Sequence, residues 1–218
     1  DLVYLIADEN IATDKSTKFQ TEIIKQLKKK KIDSKIVYAN RLQLFDIIRV
    51  VKEIIMDHRD DEFYVNVASG SKIHAIGCMM ACMVFDNRKK IHPFYPQAKE
   101  YPAYKDNEQQ TYGVEEIYEL PSYQLLTPNN DLIEILKIIK ENDGRIQKKK
   151  LAEIAEERKI LNINAREENH SQARFASLDK KLIQPLLHTW NFIEEEKIGK
   201  NRWISFTNDG KNASEFLF

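Results

Sequence analysis

Apolar residues in the first half of the chain alternate between two periods. Residues 2–7 form a continuous apolar run of strand length. Residues 17–31 place Phe19, Ile23, Ile24 and Leu27 at helical spacing, with lysines at 28–31 in the closing turn. Residues 35–39 read as a second strand. Residues 42–56 set Leu44, Phe45, Ile48, Val51, Ile54 and Ile55 on one helical stripe, and residues 63–68 read as a third strand. A turn at Ser69-Gly70-Ser71 leads into a helix over 72–85, and two further strands are predicted at 91–95 and 116–120. Strand–helix–strand alternation predicts parallel strands joined by right-handed crossovers, an α/β Rossmann-like parallel-sheet domain. Residues 97–113 are polar and follow neither period, so a surface loop or an irregular hairpin is expected there.

The pattern changes at residues 125–130. Asp131 is a candidate N-cap for a helix carrying Leu132, Ile135, Leu136 and Ile139, and Asp143-Gly144 ends it. A second helix is predicted over about 146–158. A third begins near Ser171 and carries Phe175, Leu178, Leu182, Ile183 and Leu186, with Pro185 as a kink. Phe192-Ile193 and Trp203-Ile204-Ser205-Phe206 read as two strands around a turn at 197–201, and Thr207 caps a last helix. Three helices, a hairpin and a closing helix predict a small α+β winged helix-turn-helix. The expected organisation is therefore a Rossmann-like domain over 1–127 and a winged helix over 128–218.

Composition narrows the function classes. The 218 residues carry 34 Lys+Arg and 34 Asp+Glu, which excludes a histone-like polycation and an acidic tail protein. A hydrophobic fraction of 42% with 6 Gly and 6 Pro argues against disorder and a long linker. Two cysteines, Cys78 and Cys82, cannot build a secreted disulfide framework and read as reduced thiols. The longest apolar run, 75–85, is far shorter than the roughly 20 residues that span a bilayer. With no leader pattern visible, a soluble, cytoplasmic protein with no membrane partner is expected, and no motif requires a cofactor or metal.

Two strand ends carry candidate chemistry, because open parallel sheets bind ligands beyond their carboxyl ends. After the third strand stand Asn66, Val67, Ala68, Ser69, Gly70, Ser71 and Lys72. Gly70 permits close backbone approach, the amides of 70–73 open a helix N-terminus, and Lys72 adds a charge; together they would cradle a phosphate. The same residues also suit an ordinary turn with Ser71 as N-cap. The turn is neither a Walker A loop nor a dinucleotide fingerprint. After the first strand, Asp8, Glu9 and Asn10 are ligand candidates, as a metal or acid/base pair or as plain loop polar groups. The helix over 72–85 is apolar almost all round, which predicts a second partner besides the sheet, taken to be a second copy of the chain. His74, Cys78 and Cys82 share a stripe on it, but with no fourth ligand the thiols read as small core residues.

A strand followed by Asn66-Val67, Gly70-Ser71-Lys72 and a hydrophobic helix resembles the fourth-strand motif of CARF (CRISPR-associated Rossmann fold) domains. With the winged helix following, the whole chain resembles a CARF–winged-helix transcriptional regulator. Ala68 and Ser69 depart from that motif, where Thr or Ser and then Gly are usual. The resemblance implies a homodimer with a pocket across its axis for a nucleotide second messenger, often a cyclic oligoadenylate, and implies Asn66, Gly70, Ser71 and Lys72 as contacts.

In the second domain, Ser171, Gln172 and Arg174 open the predicted third helix and suit base-edge or phosphate contacts. Lys148, Lys149 and Lys150 on the second helix, Lys180 and Lys181 on the third, and Lys197, Lys200 and Arg202 at the wing suit phosphates. Residues 128–218 hold 16 basic and 15 acidic side chains, a weak basic excess for a DNA-binding module. The expected function is a ligand-responsive regulator that binds double-stranded DNA and senses an anionic nucleotide. The alternatives are a ring nuclease that degrades cyclic oligoadenylate and an adaptor that binds no DNA.

Overall fold

The structure, a computed structural model, describes residues 1–10, 16–86, 90–101 and 111–218. It divides into two units, Asp1–Leu126 and Thr127–Phe218. Among the described residues no helix is long and apolar enough to cross a membrane.

The first unit runs β1 (Leu2–Asp8), α1 (Thr17–Lys29), β2 (Asp33–Ala39), α2 (Leu44–Asp57), β3 (Phe63–Asn66), α3 (Lys72–Phe85), β4 (Ile91–Gln97) and β5 (Glu116–Glu119). β1 pairs in parallel with β2, and β3 in parallel with β4, so both strand pairs joined through a helix run as the alternating pattern requires. Two features depart from an all-parallel sheet. The pairs form separate ladders, β1-β2 and β3-β4-β5, and β5 lies antiparallel to β4. In the polar stretch at 97–113, residues 102–110 lie outside the described residues. Its flanks pair Glu100 with Tyr112, through Tyr112 N–H to Glu100 O at 3.0 Å. That pairing turns the chain back on β4, whereas a parallel neighbour needs a longer crossover. The core is built on α2, whose Ile47, Ile48, Val50, Val51 and Ile55 are buried, and on Cys78, Ala81 and Cys82 of α3.

The second unit runs α4 (Asn130–Glu141), β6 (Arg145–Gln147), α5 (Lys148–Glu157), α6 (Glu167–Leu178), β7 (Ile193–Ile198), β8 (Asn201–Phe206) and α7 (Asn208–Leu217), with the antiparallel sheet order β6-β8-β7. Ile135, Leu136, Ile139, Ile146, Leu151, Leu178, Ile183, Leu186, Ile193 and Ile204 form its core. Three local expectations are corrected. Asn129, not Asp131, caps α4, its side chain accepting from Leu132 N–H at 3.0 Å. Residues 145–147 pair with β8 as a strand before α5 begins. α6 starts at Glu167, so Ser171 lies inside it. At Pro185, where a kink is expected, the helix continues in wider π-helical turns over Asp179–Ile183 and Pro185–Thr189, with Trp190 N–H reaching Pro185 O at 3.1 Å. The wider turn accommodates a ring that would clash in a regular helix.

Candidate functional site

At the β3 end, Asn66 organises the turn. Its Oδ1 accepts from Ala68 N–H at 2.9 Å and its Nδ2 donates to Ser69 Oγ at 2.9 Å. Gly70 has φ +81°, a conformation that side chains other than glycine's rarely adopt, and a Cβ there would stand 3.2 Å from the His74 ring. Ser71 caps α3: its Oγ accepts from His74 N–H at 3.3 Å, while Ser71 N–H donates to His74 Nδ1 at 3.3 Å. A histidine thus fills the place glutamate or glutamine usually takes in a capping box. The amides of Lys72 and Ile73 keep no protein acceptor among the described residues, and residues 68–72 are exposed. What the turn offers an anion is those two amides, the Ser69 and Ser71 hydroxyls and the Lys72 ammonium.

At the β1 end the three candidates take different positions. Asp8 is buried, with Arg41 Nε 2.8 Å from its Oδ2 and Asn10 N–H donating to its Oδ1 at 3.0 Å. Arg41 lies off the line of a directed hydrogen bond, so the contact is an ion pair. Glu9 is exposed and accepts from Asn40 Nδ2 at 2.8 Å. Asn40 N–H donates to Asp46 Oδ2 at 2.6 Å, which ties the loop after β2 to the first turn of α2. Asp8 and Arg41 both act on His74. Burial is the largest influence and pushes the imidazole below its ordinary value; Asp8 opposes it and Arg41 adds to it. Arg41 is no sequence candidate, and His74 enters the sequence reading only on the stripe with Cys78 and Cys82, because nothing in the spacing ties residue 41 to residue 8, or residue 74 to both.

α3 has the second partner that its composition predicted, and α2 takes that place within the chain. A Cβ at Gly77 would come 2.9 Å from Ile47 Cγ2 and 3.5 Å from Leu44 Cδ1. The apolarity of α3 therefore carries less weight as an argument for a second copy, although Ile76 remains half exposed. Cys78 and Cys82 are buried, and burial pushes their thiols up to about 11 and about 12.

In the second unit the sequence candidates separate into surface and interior. Lys149, Lys150, Ser171, Gln172, Lys180, Lys181, Lys197, Lys200 and Arg202 are exposed. Lys148 is not available to a phosphate: it is buried, its ammonium paired with Asp179 and lying 3.0 Å from Glu195 Oε1. Arg174 is also engaged. Its side chain is 17% exposed, with Nη1 3.0 Å from Glu156 Oε2 and Nη2 3.9 Å from Glu153 Oε1 on α5. A base edge would have to displace those carboxylates, which corrects the expectation that Arg174 reads DNA directly. The acidic run before the wing is likewise partnered: Glu195 by Lys148 and Arg202, and Glu196 by Arg145 at 2.7 Å. Lys149, Lys180, Lys181, Lys197 and Lys200 make no ion pair among the described residues. An overall charge near neutral therefore coexists with exposed, unneutralised lysines.

Residues 1–101 match the family model described as "HFX_2341_N:-like, N-terminal", and residues 131–217 match the "DUF6293 C-terminal winged helix domain". The second match and the helix–strand order agree: the C-terminal unit is a winged helix. The chain is similar to uncharacterized protein MJ1513 of Methanocaldococcus jannaschii, at 25% identity over 203 residues, covering 82% of this chain and 61% of that protein. It thus spans less than two thirds of that relative's length. Among solved structures it is similar to Can2 from Sulfobacillus thermosulfidooxidans in complex with cyclic tetra-adenylate, at 17% identity and TM-score 0.34, covering 98% of this chain and 54% of that one.

Proposed function

We propose that the chain is a DNA-binding regulator whose first unit, a CARF-like Rossmann domain, senses a nucleotide-type anion as a homodimer. The observation that carries the reading is a winged helix with exposed, unneutralised lysines, in one chain with an exposed glycine turn that offers amides, hydroxyls and Lys72 to a phosphate. Lys197 and Lys200 on the wing, and Lys180 and Lys181 beside the third helix, contact DNA phosphates; Ser171 and Gln172 face the groove. Asn66, Ser69, Gly70, Ser71 and Lys72 hold the effector. An effector that binds two dimer arrangements with different affinity shifts their populations and so the affinity for the operator.

Electrophoretic shifts on DNA from the chain's own upstream region, with and without cyclic tetra-adenylate across a salt series, test this. Salt-dependent binding that responds to the effector is expected. No shift at micromolar protein sinks the DNA-binding reading and favours an adaptor. Lys72→Ala should abolish effector binding in a folded dimer, and unchanged calorimetric affinity refutes the anion site.

One contact favours a second reading, a ring nuclease. Ser71 Oγ lies 3.0 Å from His74 Nδ1, a hydroxyl and an imidazole side by side at the same turn. Prolonged incubation with cyclic tetra-adenylate followed by chromatography separates the two, because a sensor returns its ligand intact.

A further inference from the structure

We propose that Arg41, held in place by the buried Asp8 carboxylate, is a second cationic arm of the effector site. The inference rests on the anion-site reading above and extends it to a residue outside the β3 turn.

The Asp8 carboxylate, only 8% exposed, is costly unless paired, and an acidic group beside a phosphate would repel it. Arg41 answers both requirements, with Nε 2.8 Å from Asp8 Oδ2 and a side chain that is still 44% exposed. Pairing through Nε leaves Nη1 and Nη2 without a protein acceptor among the described residues. Those terminal nitrogens form the fork that takes two oxygens of a phosphate or phosphodiester.

The backbone around Arg41 is fixed on both sides. Glu9 N–H donates to Ala39 O at 3.2 Å, Asn40 Nδ2 donates to Glu9 at 2.8 Å, and Leu42 N–H donates to Asn40 Oδ1 at 3.0 Å. A preorganised cation loses less side-chain freedom when it binds. The loop leads into α2, which packs on the helix that the β3 turn opens: a Cβ built at Gly77, in the second turn of α3, would stand 3.5 Å from Leu44 Cδ1. His74, between that contact and Gly70, is within electrostatic range of both Asp8 and Arg41. Asp8 is therefore a positioning residue that acts through Arg41 and does not itself touch the ligand.

Calorimetry of the full chain with cyclic tetra-adenylate tests the assignment, each variant first being checked for an unchanged melting profile. Arg41→Ala should weaken binding at least tenfold. Arg41→Lys keeps the charge but loses the fork, and should recover only part of the affinity. Asp8→Asn, which loosens the guanidinium without removing it, should weaken binding several-fold. Should Arg41→Ala not fold, the lysine variant decides, and wild-type affinity in it overturns the proposal. If Lys72→Ala abolishes binding while Arg41→Ala stays within twofold of wild type, the second arm is refuted and the anion site stands. If the wild-type chain binds neither cyclic tetra-adenylate nor ADP, both fall together.

Discussion

Replacing Lys148 by methionine tests how the winged helix holds its third helix and its wing together. Lys148 lies at the start of α5, Asp179 follows α6, and Glu195 is on β7, so one ammonium joins three elements. Its side chain is 7% exposed, against 38% for Asp179 and 18% for Glu195. Removing one partner of a fully buried pair costs about 3–5 kcal/mol. Here Glu195 keeps Arg202 at 3.1 Å, but the Asp179 Oδ1 that faces Lys148 is shielded from solvent and loses its partner, so the expected loss is about 3 kcal/mol. For a domain of this size that corresponds to a fall in Tm of roughly 12–24 °C.

The assay is direct, because both tryptophans, Trp190 and Trp203, lie in the second unit, and their fluorescence in urea reports that unit alone. The pH dependence has a definite sign. Burial pushes the Glu195 carboxyl up, but Lys148 and Arg202 outweigh it and hold it below the usual carboxylate range. A depressed carboxyl stabilises the fold above that range and loses its effect as pH falls through its folded value. In Lys148→Met burial is opposed by Arg202 alone. The gap between wild type and variant is therefore widest at neutral pH and narrows in acid. A loss below about 1 kcal/mol, equal at neutral and acid pH, would mean that the three groups behave as solvated surface charges and refute the argument.

Other outcomes follow from the same structure. Gly210→Ala should destabilise the winged helix at the upper end of about 1–3 kcal/mol, since its Cβ would stand 1.8 Å from the Phe192 carbonyl oxygen; an unchanged tryptophan melt excludes that packing. Cys78 and Cys82, with thiols pushed up to about 11 and about 12, should resist iodoacetamide at mildly alkaline pH until the chain unfolds, and rapid native labelling would place them at the surface. The His74 imidazole should titrate below the ordinary value of about 6.5, with its resonance assigned by His74→Gln. Because that value is depressed in the folded state, protonation favours unfolding, and the stability His74 contributes is lost as pH falls through the ordinary range. A midpoint at or above the ordinary value contradicts the burial of that ring.

Much of this molecule was legible in one dimension. Alternation of strand and helix periods located β1, α1, β2, α2, β3, α3 and β4, and the pattern changes at residues 125–130, just ahead of α4. Those signals are local: each depends on side chains a few positions apart on one face. The turn at Asn66 to Lys72 was equally readable, since a glycine between two serines before an apolar helix needs no distant partner to adopt its conformation.

Charge was where the linear reading failed. Lys148 and Arg174 look like their neighbours in sequence, yet one is enclosed by Asp179 and Glu195 and the other is held by Glu156, while Lys149 and Lys180 reach solvent. Arg41 has no motif, and only the side-by-side placement of β1 and β2 brings it to Asp8. The direction of β5 was likewise decided by pairing across residues far apart in the chain. Periodicity is fixed by covalent neighbours. Whether an ion is buried, paired or exposed depends on what a distant segment packs against it, and only the folded chain determines that.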